Sequence, residues 1–345
     1  MQEKREIWVD NVKVFACILV VVGHFFQSMA KGSLISESAL YLWFIKTIYL
    51  FHVPLFFVCS GYLYQKYSKV NSVDTWKKNI SNKLLDLGIP YLTFTIITWV
   101  LKKIFETSVN DEIGGLLEAI FLRPIAPYWY LYCLFFLFVF IPTFKSKKMA
   151  MVGLLVAMTL KMYNMFGGTI GIYLFSSIFA NMIWFVIGIN LNAINFEYLP
   201  KNIKCTRRGA ELSAIFVVLS IVVYMENIKF VGSEFLLGIV ACSAVILLFV
   251  GIFKKSTRNP WWVAKYTMPI FLMHTIFAAG LRSLLIKIGI MNVYIHIILG
   301  VGISFVGPII AAYMMGQMGW INFLLYPRKT CKMIFGSNAK KRNGL

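Results

Sequence analysis

The feature that most constrains this chain is a row of ten apolar stretches, most of them close to the about 20 residues a helix needs to cross the hydrocarbon of a bilayer. They run over 12–30, 41–64, 84–101, 127–144, 149–163, 169–191, 209–225, 231–253, 266–288 and 293–326; the fifth is short and the last is too long for one simple crossing. Backbone polar groups in lipid must be satisfied within the segment, so apolar stretches of this length form helices. With 59% hydrophobic and 14% charged residues over 345 positions, the expected fold class is all-α: a polytopic integral membrane protein of about ten transmembrane helices. The longest hydrophilic stretches, roughly 15 to 25 residues, are too short for a soluble domain. Residues 1–345 therefore read as a single membrane domain.

The formal net charge of +20 would suggest nucleic acid in a soluble protein. Here the placement of Lys and Arg decides its meaning, and no nucleic-acid partner is expected. The N-terminus carries 2; loops 65–83, 145–148, 192–208 and 254–265 carry 5, 3, 4 and 4; the C-terminus carries 6; the alternate segments together carry 8. By the positive-inside rule this alternation puts both termini in the cytoplasm of a multi-pass protein of the cell membrane. Residues 1–30 also resemble a signal peptide, with Lys4 and Arg5 ahead of an apolar run and Ser28-Met29-Ala30 as a small-x-small site. A retained helix is the preferred reading, because the span is long and its polar groups need partners from other helices.

Six scattered cysteines (Cys17, Cys59, Cys133, Cys205, Cys242 and Cys331) show neither CxxC nor metal-ligand spacing and read as small buried apolar residues. No inverted or parallel repeat is evident, and prolines 54, 142, 269 and 308 fall in or near spans, with kinks expected beside Pro54 and Pro308. Trp76, Trp261 and Trp262 read as interfacial anchors.

The opening span, "DNVKVFACILVVVGHFF" over 10–26, holds a cation and an imidazole: Lys13 and His24. Eleven positions at 100° each bring them to within about 20° of one face, with His24 roughly 16 Å deeper. Ionisable groups in spans are costly unless they face an interior or wet cavity. The bland alternative has Lys13 snorkelling to the headgroups and His24 hydrogen-bonded in the bundle. All four histidines, His24, His52, His274 and His296, lie in or near spans. His52 should reach a depth similar to His24, and His274 should sit somewhat nearer the cytoplasm. Imidazole near neutral pH suits general-base chemistry. No ligand-spaced His, Asp or Glu cluster accompanies these rings, so no metal is expected. There is also no GxSxG elbow, HExxH helix, Walker loop or dinucleotide fingerprint.

"DNVKVFACILVVVGHFF" resembles the first helix of the membrane-bound acyltransferase-3 family, in which Arg or Lys is followed, after ten residues, by His. "FHVPLFFVCSGYLY" is similar to the second-helix motif of the branch that includes fucose-type sugar O-acetylases, and Lys13 stands where many relatives have Arg. Weaker echoes follow in "KLLDLGIPYL" (83–92), "PYWYLYCLFFLF" (127–138), "WFVIGINL" (184–191) and "MPIFLMH" (268–274). Only Lys13, His24, His52, Ser60 and Gly61 carry over position by position. The resemblance implies a ten-helix fold and transfer of an acyl group, acetyl first among them, from cytoplasmic acyl-CoA (acetyl-CoA) to a hydroxyl of a surface or exported glycan, the acceptor being a sugar or lipid-linked glycan. It implies His24 as the catalytic base, Lys13 at the cofactor or orienting the site, and His52, Ser60 and His274 at the substrate, the two histidines lining the cavity or polarising the thioester carbonyl. Relatives often carry a fused extracytoplasmic SGNH hydrolase-like domain; this chain ends at residue 345 without one, so direct transfer is expected. The basic segments "KNISNK" (78–83), "KSKK" (145–148), "KCTRR" (204–208) and "KKSTR" (254–258) could favour a polyanionic cofactor, although most of them need be no more than topology signals. Two rival readings are a proton-coupled secondary transporter with an intramembrane histidine relay, and a non-catalytic membrane scaffold.

Overall fold

The computed structural model describes residues 6–68, 70–106, 114–168, 170–193, 202–228, 230–253 and 262–333. Lys4, Arg5, the 254–258 basic segment, Trp261 and the basic residues Lys340, Lys341 and Arg342 lie outside the described residues. Among those described, the chain is helical and contains no strand.

The helices are α1 (Ile7–Lys31), α2 (Ala39–Tyr49), α3 (His52–Tyr67), α4 (Val73–Lys83), α5 (Ile89–Ile104), α6 (Trp129–Phe140), α7 (Lys147–Met165), α8 (Tyr173–Leu191), α9 (Asn202–Met225), α10 (Ser233–Phe253), α11 (Thr267–Lys287), α12 (Val293–Gln317) and α13 (Gly319–Leu325). Among the described residues, eight segments are long and apolar enough to cross a membrane, counting α2–α3 and α4–α5 each as one. Two of the ten expected spans fall short. Helix α6 has 12 residues, about 18 Å of rise against a hydrocarbon core of about 30 Å, and α7 is not apolar enough.

Two expected spans divide. The stretch 41–64 breaks at Phe51, whose φ of −140° and ψ of −21° are not helical. Pro54 explains the break: it has no amide hydrogen for the carbonyl of Leu50, four residues back. The stretch 293–326 divides at Met318 into α12 and α13, while α12 itself continues through Pro308. Between α4 and α5 the backbone widens into a π-helical turn, Leu84–Gly88, just before Pro90. Such turns absorb the missing hydrogen bond of a following proline.

Helix α1 packs against α3, α10, α11 and α12, while α9 pairs with α10, α7 and α3 with α8, and α11 with α12. The main apolar core threads α1, α3, α6, α8, α10 and α11. The α3–α8 crossing is backbone to backbone. A Cβ on Gly61 would collide with the carbonyl of Phe185, and one on Gly188 with that of Val58. Such close approach is how helices associate in lipid, where no hydrophobic force distinguishes neighbour from solvent. Gly61 thus has a packing reason to be glycine. Cys17, Cys59, Cys133, Cys205 and Cys242 are buried free thiols and Cys331 is partly buried.

The end of the bundle where α1 begins is here the inner end. The C-terminal end of α3 lies there, as Trp8 meets Tyr62 with ring centroids 5.0 Å apart, and Lys66 is ion-paired with Glu6. The outer end holds the last turn of α1 and the first of α2.

Candidate functional site

The Lys13 and His24 stripe of α1 runs from the inner end towards the bundle's middle. Lys13 is half-buried, and among the described residues it makes no hydrogen bond or ion pair. It converges with cations from distant parts of the chain: Lys83 feels the charges of Asp86, Lys13 and Arg328 together. The Lys83 ammonium sits 4.2 Å from the ring centroid of Phe138, and Arg328 Nη1 donates to Asp86 Oδ2 at 3.2 Å. Asp86 occupies the π-helical turn, so the widened backbone presents the carboxylate that holds Arg328.

Three histidines meet at mid-depth. The rings of His24 and His274 are 5.5 Å apart between centroids. Tyr49 lies between the other two, with its ring centroid 6.4 Å from His24 and 4.5 Å from His52. The Tyr49 hydroxyl donates to Gln27 Oε1 at 2.6 Å.

The three rings are held differently. His52, the first residue of α3, places Nδ1 2.6 Å from the carbonyl of Ile48. A carbonyl only accepts, so Nδ1 carries the proton and caps the frayed end of α2, leaving Nε2 with its lone pair. His274 Nδ1 lies 3.0 Å from the carbonyls of both Ile270 and Phe271, which fixes the same tautomer. Its buried Nε2 has no hydrogen-bond partner among the described residues. His24 makes no hydrogen bond among the described residues and is half-buried, whereas His52 and His274 are each only 1% exposed. His52 and His274 thus each keep an unprotonated Nε2, and His24 is the most exposed ring of the three.

The remaining expected residues lie elsewhere. Ser60, eight residues along α3 from His52, is about 12 Å further towards the inner end. Its hydroxyl is 3.2 Å from that of Tyr130, and Tyr130 packs against Phe56, Phe57 and Phe271. His296 faces a loop, with Nε2 donating to the carbonyl of Ile290 at 2.8 Å. Among the described residues no group of three or more His, Cys, Asp or Glu is placed to hold a metal ion.

Sequence reasoning missed Tyr49, Arg328 and Arg282, and gave Lys83 only as one residue of the basic segment 78–83. Tyr49 stood three residues before His52, a separation that leaves two side chains within reach. Arg282 Nη1 donates to the Ser28 carbonyl at 2.8 Å and also bonds the Ser28 hydroxyl, pinning α11 to α1 one turn beyond His24.

Over 140 residues the chain is 27% identical to the nodulation protein NolL of Mesorhizobium japonicum, covering 40% of this chain and 35% of that protein. Against NolL of Sinorhizobium fredii it is 30% identical over 129 residues, or 37% and 33% of the two chains. The matches span about a third of the length of these curated relatives. No solved structure matches. A family model described as an acyltransferase domain aligns with residues 6–314, which takes in Lys13, Lys83 and the whole histidine cluster but not Arg328. This match extends over most of the chain, which belongs to the acyltransferase-3 family.

Proposed function

We propose that this protein is a membrane O-acyltransferase that moves an acyl group, acetyl in the simplest case, from acyl-CoA at the inner end to a hydroxyl of a surface or exported glycan. The inner end is the cytoplasmic one, in keeping with the distribution of Lys and Arg. The observation that carries the reading is the unbonded His24 imidazole at mid-depth on the same stripe as Lys13.

In this mechanism a ring nitrogen of His24 accepts the proton of the acceptor hydroxyl as its oxygen attacks the thioester carbonyl. The carbon–sulfur bond then breaks, and the sulfur leaves with a proton returned from His24. The products are an ester and free coenzyme A. His274, its ring centroid 5.5 Å away and its Nε2 unprotonated, lines the substrate side of that imidazole. Lys13, together with Lys83, which lies within electrostatic reach of both Lys13 and Arg328, supplies positive charge for the donor's phosphates.

The hydrogen bonds of His52 and His274 give the transporter reading less support. His52 and His274 each donate to carbonyls of neighbouring helix turns, and among the described residues no hydrogen bond joins one histidine to another. The deciding experiment reconstitutes purified protein in liposomes with radiolabelled acetyl-CoA and a glycan acceptor. Label should move to the glycan in the wild type and not in His24→Ala. Wild-type rates in that variant would remove the mechanism, and glycan flux without acyl-CoA would favour transport.

A further inference from the structure

Beyond the histidine cluster lies a cleft of about 740 Å³, formed where α2, α7, α9 and α10 meet at the outer end. Its walls include Lys46, Tyr49, Lys161, Tyr224, Glu234 and Phe235. Lys46 Nζ lies 5.5 Å from the ring centroid of Tyr224. Lys161 Nζ lies 5.6 Å from that of Phe235 and donates to the carbonyl of Ala180 at 3.2 Å. Among the described residues neither ammonium makes an ion pair. Glu234 is near enough for Lys161 to feel its charge, but one carboxylate leaves two ammonium groups with a net positive charge.

Lys46 belongs to a segment apolar enough to span the membrane, where an ionisable side chain faces water or a polar ligand rather than lipid. A positive cleft with aromatic walls suits one class of ligand. The ring faces take the C–H faces of a sugar, and the ammonium groups take an anion. Tyr49 belongs both to this cleft and to the histidine cluster, where it contacts His24 and His52. A ligand in the cleft therefore lies against the residue that touches the reacting ring.

We propose that this cleft binds the acyl acceptor, and that the acceptor carries an anionic group, a carboxylate or a phosphate, near the hydroxyl that is acylated. This rests on the proposed acyltransferase function for the word acceptor, while the binding itself can be measured without it. The anion can belong to the sugar or to the phosphate of a lipid carrier, and the two sources are separable.

The test uses full-length protein in zwitterionic nanodiscs, with no acyl donor present. Three probes are titrated: a hexuronic-acid oligosaccharide, its carboxyl-reduced neutral form, and a polyprenyl monophosphate placed in the disc. The wild type should bind one of the two anionic probes about tenfold more tightly than the neutral one, with the margin shrinking as salt rises. The uronate identifies a charged sugar, and the polyprenyl phosphate a lipid carrier. Lys46→Gln with Lys161→Gln should abolish the margin, and Lys46→Arg with Lys161→Arg should restore it, which separates loss of charge from loss of folding. Acyl-CoA affinity, read in the same discs, should not move. Equal affinity for charged and neutral probes in the wild type, or an undiminished margin in the Gln pair, overturns the proposal. Because donor and catalysis are absent from the binding assay, a protein that transfers acyl groups but ignores these lysines keeps its enzymatic reading and loses the cleft. A protein that binds the anion but transfers nothing does the reverse.

Discussion

The two mouths of the bundle hold their cations differently. At the inner end Lys13, Lys83 and Arg328 come together from three distant parts of the chain, with Asp86 holding Arg328 at 3.2 Å. At the outer end Lys46 and Lys161 lie over the rings of Tyr224 and Phe235, with no ion pair among the described residues. Several converging cations with an internal carboxylate form a built, partly neutralised pocket suited to a ligand of multiple charge. Two cations on aromatic faces, one of them near Glu234, suit a ligand that is mostly neutral and apolar-faced, with a charge at one point. The histidine cluster sits between the two, and in the proposed function the asymmetry separates a polyphosphate donor from a sugar acceptor.

This contrast can be broken at four places. The largest effect is expected at the centre: His24→Ala should lower acyl transfer by about 10² to 10⁴ in rate, the range of a lost general base. Both ligands should still bind, as read by equilibrium titration; loss of binding at either mouth would make His24 a structural residue. Next, Lys13→Ala should raise the KM for acyl-CoA by about tenfold, as expected for one lost charge-assisted contact, with Lys13→Arg near wild type and acceptor KM unchanged. A change in acceptor KM alone would reverse the assignment of the mouths. Tyr49→Phe keeps the ring against His52 and removes the hydrogen bond to Gln27, and steady-state kinetics should show kcat lowered by a few fold, in line with a net bond worth about 1 kcal/mol. The smallest effect is expected for Arg328→Gln. Its pair with Asp86 is more than a third exposed on both sides and contributes under about 1 kcal/mol, so the melting temperature should hardly move while donor KM rises slightly.

The apolar pattern gave most of the helices, since the length and composition of a span are local properties. Residues 12–30 lie inside α1, and 231–253 matches α10 to within two residues. The break at Phe51 was harder to place, because a proline's consequence depends on whether neighbours satisfy the carbonyl it abandons. Pro54 ends a helix and Pro308 does not. The Lys13 and His24 stripe was readable because helical periodicity alone fixes it. The convergence of Lys83, Arg328 and Lys161 with their partners was not, as it depends on which helices pack together. His52 shows a further limit: its position in a motif suggests chemistry, while its hydrogen bond to the Ile48 carbonyl also closes the end of a broken helix. Ser60 stands in the same motif, yet helical rise carries it about 12 Å from the imidazoles.

The contact of Gly61 with Phe185 and of Gly188 with Val58 leaves no side chain between two main chains. Side chains can trade rotamers and let helices slide; bare peptide groups cannot. The height of the His52 ring, nine residues up the same rod and roughly 13 Å from that crossing, is therefore anchored from below. Substitutions in the lipid-facing shell can loosen the periphery without changing the level at which that imidazole stands.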